Sequence, residues 1–159
     1  MIEVGLGDWP YDDPPPPTVR PNPGGRLAAL RRNFYEASLD ARRISGRQVC
    51  VATYVRAPDR TTIEAHRGKL LGYADRMGWR AAPRHFTDVL PVEAQSSLSE
   101  AGRYVGGGYA HGILMLGRSS MASSDEEYEA LLHWLHARCS FIAFIPPALM
   151  SKSPSATSR

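Results

Sequence analysis

The sequence has few cysteines and no long apolar stretch, the features typical of disulfide-stabilised secreted proteins and of membrane proteins. It has two cysteines among 159 residues, Cys50 and Cys139, and both lie in apolar runs, which predicts buried, reduced thiols rather than a disulfide framework. No apolar stretch approaches the roughly 18 residues needed to cross a bilayer. The N-terminus is acidic and proline-rich, unlike a signal or transit peptide. These absences predict a cytoplasmic protein with no membrane segment.

The sequence is also poor in patterns that bind metals or cofactors. His133 and His136 are three residues apart on a predicted helix, but no cysteine or carboxylate cluster accompanies them, so we expect solvated helix-face histidines. The glycine triplet 106–108 precedes a predicted strand, whereas phosphate-binding glycine loops precede a helix, so it is interpreted as a turn. No Gly-x-Ser-x-Gly motif occurs. We therefore expect neither a metal nor a cofactor.

Lysine is scarce as well, and the charge is unevenly distributed. The chain has two lysines and 17 arginines, with a formal net charge of +3. Residues 1–19 carry a net charge of −4 and residues 20–47 a net charge of +5. The second of these segments is the candidate basic surface for a partner such as DNA.

The sequence divides into four segments. Residues 1–24 hold most of the prolines and predict a flexible tail, as do residues 147–159. Residues 25–47 predict a basic amphipathic helix, because apolar side chains recur every three or four positions from 26 to 45. These apolar residues are Leu27, Leu30, Phe34, Ala37, Ala41 and Ile44. The helix is expected to dock on the core of its own chain, to form a homodimer through residues 26–45, or to contact a DNA backbone.

The remaining segment, residues 48–146, alternates predicted strands with predicted helices. Short β-branched or apolar runs predict strands at 49–55, 79–87, 113–116 and 141–145. Thr61 with Glu64, and Ser124 with Glu127, have the spacing of capping boxes and open two of the helices. A further short helix is predicted at 94–104. The alternation predicts an α/β fold with a mainly parallel sheet of about four strands and helices on both faces.

Two arginines follow strands of this predicted sheet. Arg56 follows the first strand and Arg118 follows the third. Because ligands of parallel sheets bind beyond the carboxyl ends of the strands, the two guanidinium groups predict a site for an oxyanion such as phosphate. The alternative is that both arginines only cap the strands or pair with Asp59 and Asp125.

The order of several motifs resembles the catalytic domain of serine recombinases of the resolvase/invertase family. Tyr54-Val55-Arg56 ends the first strand, a helix follows that runs into Met77-Gly78-Trp79, and Gly117-Arg118-Ser119-Ser120 follows the third strand. The resemblance covers about residues 48–146. It implies a resolvase-like fold and, in an intact member, site-specific DNA recombination through a phosphoserine link.

Several positions depart from the family pattern. The nucleophilic serine of the family falls on Pro58, the motif aspartate on Gly117 and the second motif arginine on Met121. An arginine expected after the second strand has no counterpart between residues 89 and 99. What the resemblance leaves is a remnant phosphate-binding set of Arg56, Arg118 and Ser120, with no intact catalytic residue.

The sequence therefore predicts a recombinase-like domain that has lost strand exchange and acts as a binding or regulatory module. Its expected partner is DNA or a full-length recombinase. The alternative is a residual recombinase or phosphate-ester enzyme that uses a displaced hydroxyl nucleophile from Ser120 or Thr61. A third interpretation is a decayed gene product with no selected role.

Overall fold

The structure is a computed structural model that describes residues 23–90 and 96–150. The N-terminal tail predicted at 1–24 lies outside these residues, apart from its last two, which begin the first helix. The C-terminal tail predicted at 147–159 begins with four residues that form a short helix, and the others lie outside the described residues.

Helices and strands alternate along the described chain. The helices are α1 (Pro23–Ser45), α2 (Arg60–Arg76), α3 (Ser96–Gly106), α4 (Asp125–His136) and α5 (Pro147–Met150). The strands are β1 (Cys50–Ala57), β2 (Arg80–Val89), β3 (Gly112–Met115) and β4 (Phe141–Phe144). A 3-10 helix spans Arg118–Ser120.

The four strands form one parallel sheet in the order β2-β1-β3-β4. Every β1 residue except Arg56 is buried, which is why β1 has an almost continuous apolar run. The chain winds from β1 to β2 and then back past β1 to β3, so α2 packs on one face of the sheet while α3 and α4 pack on the other. The predicted parallel sheet with helices on both faces is confirmed.

Strand β2 lies at one edge of the sheet and contains Pro83. The register between β1 and β2 shifts between Val51, beside Ala81, and Thr53, beside His85, so β2 carries two extra residues at this point. A bulge on an edge strand accommodates proline, which has no amide hydrogen to contribute to the ladder. Pro83 therefore interrupts the pairing without ending the strand.

The two predicted capping boxes have different outcomes. Ser124 and Glu127 form a complete box at the start of α4, as predicted. At α2 the prediction was wrong, because Asp59 is the N-cap and its carboxylate accepts a hydrogen bond from the Thr62 amide at 2.8 Å. Thr61 is the second residue of the helix and is exposed. A carboxylate two positions earlier caps the helix in place of the threonine hydroxyl.

Helix α1 docks on the core of its own chain, over the edge strand β4 and against α4. Leu27 is buried there, and Phe34 stacks on His136 with ring centroids 3.9 Å apart. The predicted apolar stripe is wrong in its second half, where Ala37 and Ala41 are exposed and Ile44 is 87% exposed.

The buried face of α1 changes because the helix crosses an edge of the sheet. Its first turns contact the core on the α4 side, whereas Tyr35 and Leu39 contact the core on the α2 side. Spacing along the helix alone does not reveal such a crossing, because it depends on what lies beneath each turn.

The prediction of two buried thiols is half correct. Cys50 is buried in β1, but Cys139 is exposed. Cys139 follows the end of α4 in a tight turn with a φ of +62°, and the turn directs the neighbouring Ser140 inward instead. Among the described residues, no helix has the length and apolar character to span a membrane.

Candidate functional site

The carboxyl end of β1 contains a buried hydrogen-bonded pair. The fully buried Tyr54 hydroxyl donates to Oδ2 of Asp88 at 2.8 Å, and the Ser97 amide donates to Oδ1 at 3.2 Å. Burial, reinforced by this carboxylate, raises the pKa of Tyr54. Asp88 therefore ties the end of β1 to the start of α3.

Sequence reasoning missed Asp88. The one signal available is its position two residues after Phe86, on the inward-facing side of β2. The same alternation places Arg56 on the Tyr54 side of β1, where it is half-buried.

The loop between β1 and α2 consists of Pro58 and Asp59. Pro58 is exposed, and Asp59 caps the helix that follows. The hydrogen bond from the Thr62 amide lowers the pKa of Asp59. This loop thus contains no hydroxyl group, and the nearest one in sequence, on Thr61, belongs to the first turn of α2.

The Arg118 side chain forms hydrogen bonds with the segment between β3 and α4. Its Nη2 donates to the Ser123 carbonyl at 2.8 Å and to Oδ1 of Asp125 at 3.1 Å. Its Nη1 reaches the Met121 carbonyl at 3.4 Å, and its guanidinium lies 4.5 Å from the centroid of the Tyr128 ring. The pairing with Asp125 that the sequence offered as an alternative is present. Phosphate binding by Arg118 stays a prediction.

The residues of the predicted phosphate-binding set lie at or just beyond the carboxyl ends of β1 and β3. Thr53 lies beside Leu114 in the register, so Arg56 is three residues beyond this pair along β1 and Arg118 is four residues beyond it after β3. Ser120 is half-buried in the 3-10 helix, and its amide donates to the Gly117 carbonyl.

Met121 and Gly117, two positions that depart from the family pattern, differ in their surroundings. Met121 is 5% exposed and packs in the core on the α4 side of the sheet. Gly117 is extended, with a φ of 178°, and a Cβ atom added there would meet no atom within 4 Å. The polar groups that the family would place here are absent from both positions.

A cavity of about 790 Å³ lies at the carboxyl end of the sheet, between α1 and the ends of β3 and β4. Its lining includes Gly117 and Arg118 from the candidate site and Arg31 from α1. Arg31 belongs to the basic segment at 20–47, but it is half-buried against the aromatic rings of Tyr35 and Phe144.

The two α4 histidines contact the first helix. His133 meets the Phe34 ring edge-on at 5.4 Å, and its Nε2 lies 3.7 Å from a carboxylate oxygen of Glu129. His136 stacks on the same Phe34 ring. Within residues 23–90 and 96–150, no three histidine, cysteine or acidic side chains are grouped closely enough to hold a metal ion.

Comparison with solved structures identifies a protein of similar fold. The C-terminal catalytic domain of ISC1926 TnpA, an IS607-like serine recombinase, superposes with a TM-score of 0.54 at 14% sequence identity, covering 64% of this chain and 73% of that one. No protein-family model matches this sequence, and no curated protein matches it significantly. The chain therefore has the fold of a serine recombinase catalytic domain.

Proposed function

We propose that this chain is a resolvase/invertase-type recombinase-like domain that has lost DNA strand exchange and acts as a binding or regulatory module. The observation that carries the proposal is the exposed Pro58 between β1 and α2, where the resemblance places the nucleophilic serine. Proline has no hydroxyl oxygen. The covalent protein–DNA intermediate of serine recombinases cannot form at this position.

A neighbouring hydroxyl is poorly placed to substitute. Thr61 is held in the first turn of α2, whose start is fixed by the Asp59 cap and by the restricted φ of Pro58. Displacing a reacting atom by about 1 Å can lower a rate by about a hundredfold. An oxygen three residues further along the chain therefore does not replace the missing serine.

The chain also has fewer positive groups free to stabilise a phosphoryl transition state than the family pattern requires. Stabilising a phosphoryl transition state requires several positive groups directed at the phosphate. Here Arg118 donates to two main-chain carbonyls and a carboxylate, and the second motif arginine is replaced by the buried Met121. This arrangement supports a structural role for the loop after β3.

The binding partner we propose is DNA or a full-length recombinase, contacted through α1. The second half of this helix presents Ala41, Arg43 and Ile44 to solvent. Arg47, two residues beyond the end of α1, is exposed as well. Exposed apolar groups next to positive charges suit a protein surface or a DNA backbone. A homodimer through residues 26–45 would use the same exposed half, since the apolar side chains of the first half pack on the core of their own chain.

The loss of catalysis is tested with supercoiled plasmid DNA. The wild-type protein, Pro58→Ser and the control Ala65→Ser, which adds a hydroxyl on an exposed face of α2, are each incubated with plasmid and then denatured. We expect no nicked or linear product and no protein-linked DNA from any of them. An adduct that survives denaturation and maps to a serine or threonine would contradict the proposal and would support a displaced nucleophile such as Ser120.

The partner is tested separately. Fluorescence anisotropy with labelled duplex DNA at low and moderate salt should show binding that weakens as salt rises. The double variant Arg43→Glu/Arg47→Glu should reduce it, whereas Arg84→Glu, on the opposite edge strand, should not. Equal binding by both variants would exclude α1 as the DNA contact, and sedimentation analysis with and without an intact recombinase would then test the protein partner.

A further inference from the structure

The cavity beside Gly117 has mainly apolar walls. The rings of Tyr35, Tyr73 and Phe144 line it together with Leu116 and Ile145, and two prolines after β4 complete one side. Its volume of about 790 Å³ lies within the range of small-molecule sites, roughly 300–1,000 Å³. Its floor is the carboxyl end of β3 and β4, where parallel sheets commonly bind ligands.

Arg31 is the half-buried charge of this cavity. Its Nη1 donates to the Ile142 carbonyl at 3.2 Å, and its guanidinium lies 4.5 Å from the Phe144 ring centroid and 5.9 Å from that of Tyr35. Burial lowers the pKa of Arg31, but a guanidinium remains protonated at neutral pH. The positive charge is therefore held in a partly dry, aromatic environment.

The half-buried Arg31 has no carboxylate partner among the described residues, whereas other arginines of the chain do. Arg26 pairs with Glu129, Arg43 with Asp40, and Arg118 with Asp125. The contacts of Arg31 are one carbonyl and two rings. Charged groups taken out of water are normally paired, so this guanidinium is suited to an anion that comes from outside the chain.

The rest of the cavity lining supports the same charge preference. Arg32 is exposed beside Arg31, and Arg118 lies at the other side of the cavity. Glu36 is the one acidic residue in the lining, and it is exposed. The cavity lining therefore carries three arginines against one glutamate, a net positive charge.

We propose that this cavity binds a small molecule that carries an oxyanion on a flat aromatic body. Its ring would stack among the side chains of Tyr35, Tyr73 and Phe144, and its carboxylate or phosphate would accept hydrogen bonds from Arg31. Arginine suits this role because its planar fork pairs with both kinds of oxyanion and also packs on aromatic faces. The inference does not depend on the proposed loss of catalysis.

The test is a titration of the full-length protein with benzoate and with phenyl phosphate, followed by amide NMR shifts and calorimetry. At least one of them should shift amides of residues 28–36 and 116–118, and the stronger binder identifies the ligand as a carboxylate or a phosphate ester. Arg31→Ala should weaken binding about tenfold or more, since a charge-assisted pair is lost. Arg103→Ala, which removes an exposed arginine on α3 outside the cavity, should leave it unchanged.

A second pair of variants keeps the test decisive if Arg31→Ala does not fold. Gly117→Asp places a carboxylate at the open space beside the cavity, and Gly117→Asn places a neutral group of the same shape there. The aspartate should weaken binding several-fold more than the asparagine. Equal binding of neutral benzyl alcohol, equal binding of inorganic phosphate alone, absence of binding by both probes, or shifts confined to residues outside the cavity would each overturn the proposal.

Discussion

The contacts of Arg118 with the segment between β3 and α4 predict how much the free energy of unfolding falls when this residue is replaced. Replacing Arg118 with alanine removes a 2.8 Å bond to the Ser123 carbonyl, the pair with Asp125 at 3.1 Å and the contact with the Tyr128 ring at 4.5 Å. A hydrogen bond from a charged donor contributes about 1.5–3 kcal/mol. The partly exposed ion pair and the cation–π contact each add about 0.5 kcal/mol. Together these contributions predict a loss of about 2.5–4 kcal/mol.

Thermal denaturation followed by circular dichroism measures this loss. For a chain of this size, 1 kcal/mol corresponds to about 2–4 °C, so the Tm of Arg118→Ala should fall by about 5–16 °C. Arg118→Lys should lose about half as much, because an ammonium group keeps the charge but not the planar fork. Arg43→Ala is the matched control, since its exposed pair with Asp40 contributes about 0.5 kcal/mol or less.

Two results would contradict a purely structural role for the Arg118 contacts. If Arg118→Ala keeps the wild-type Tm, the contacts that we describe contribute nothing to folding. If the same variant also abolishes amide shifts near Arg56 and Ser120 on phosphate titration, then Arg118 retains the phosphate-binding role that the sequence predicts. A double-mutant cycle with Asp125→Ala would then separate the ion pair from the carbonyl bonds.

Three further predictions concern buried groups. Tyr54→Phe should lower stability by about 2 kcal/mol in urea denaturation, because it leaves the buried Asp88 carboxylate without its hydroxyl donor, and an unchanged midpoint would contradict this. Gly112→Ala should cost about 3 kcal/mol, since the added Cβ would lie 2.6 Å from two ring atoms of the buried phenylalanine on β4, and a soluble variant with the wild-type Tm would show that β4 can shift. His111 accepts a hydrogen bond from the Cys50 amide, and burial with nearby arginines lowers its pKa below 6.5. The folded state therefore resists protonation, so stability is full above about pH 6.5 and falls as the pH is lowered. His111→Asn, whose amide oxygen keeps the acceptor, should make this fall shallower, and an identical pH profile would exclude His111 as its source.

The secondary structure and the sheet type were predictable from the sequence. Three of the four strands, β1, β3 and β4, are short and mainly apolar runs. All four strands lie within two residues of their predicted bounds. Such runs and the Ser124 cap reflect local energetics, which act between residues close in the chain. Alternation of strands and helices then leaves a parallel sheet as the favoured architecture. It also puts Arg56 and Arg118 at the carboxyl ends of their strands.

The contacts that define the candidate site required the tertiary structure. The pairing of Tyr54 with Asp88 joins residues 34 positions apart on different strands, and the bond from Arg31 to Ile142 joins residues 111 positions apart. No local pattern encodes these distances. The change of buried face along α1 and the exposure of Cys139 have the same origin, because burial depends on which elements lie against a residue. The sequence by itself thus determined the elements and their order, whereas only the packing of α1 across the sheet edge decided where the cavity lies and which arginine it holds.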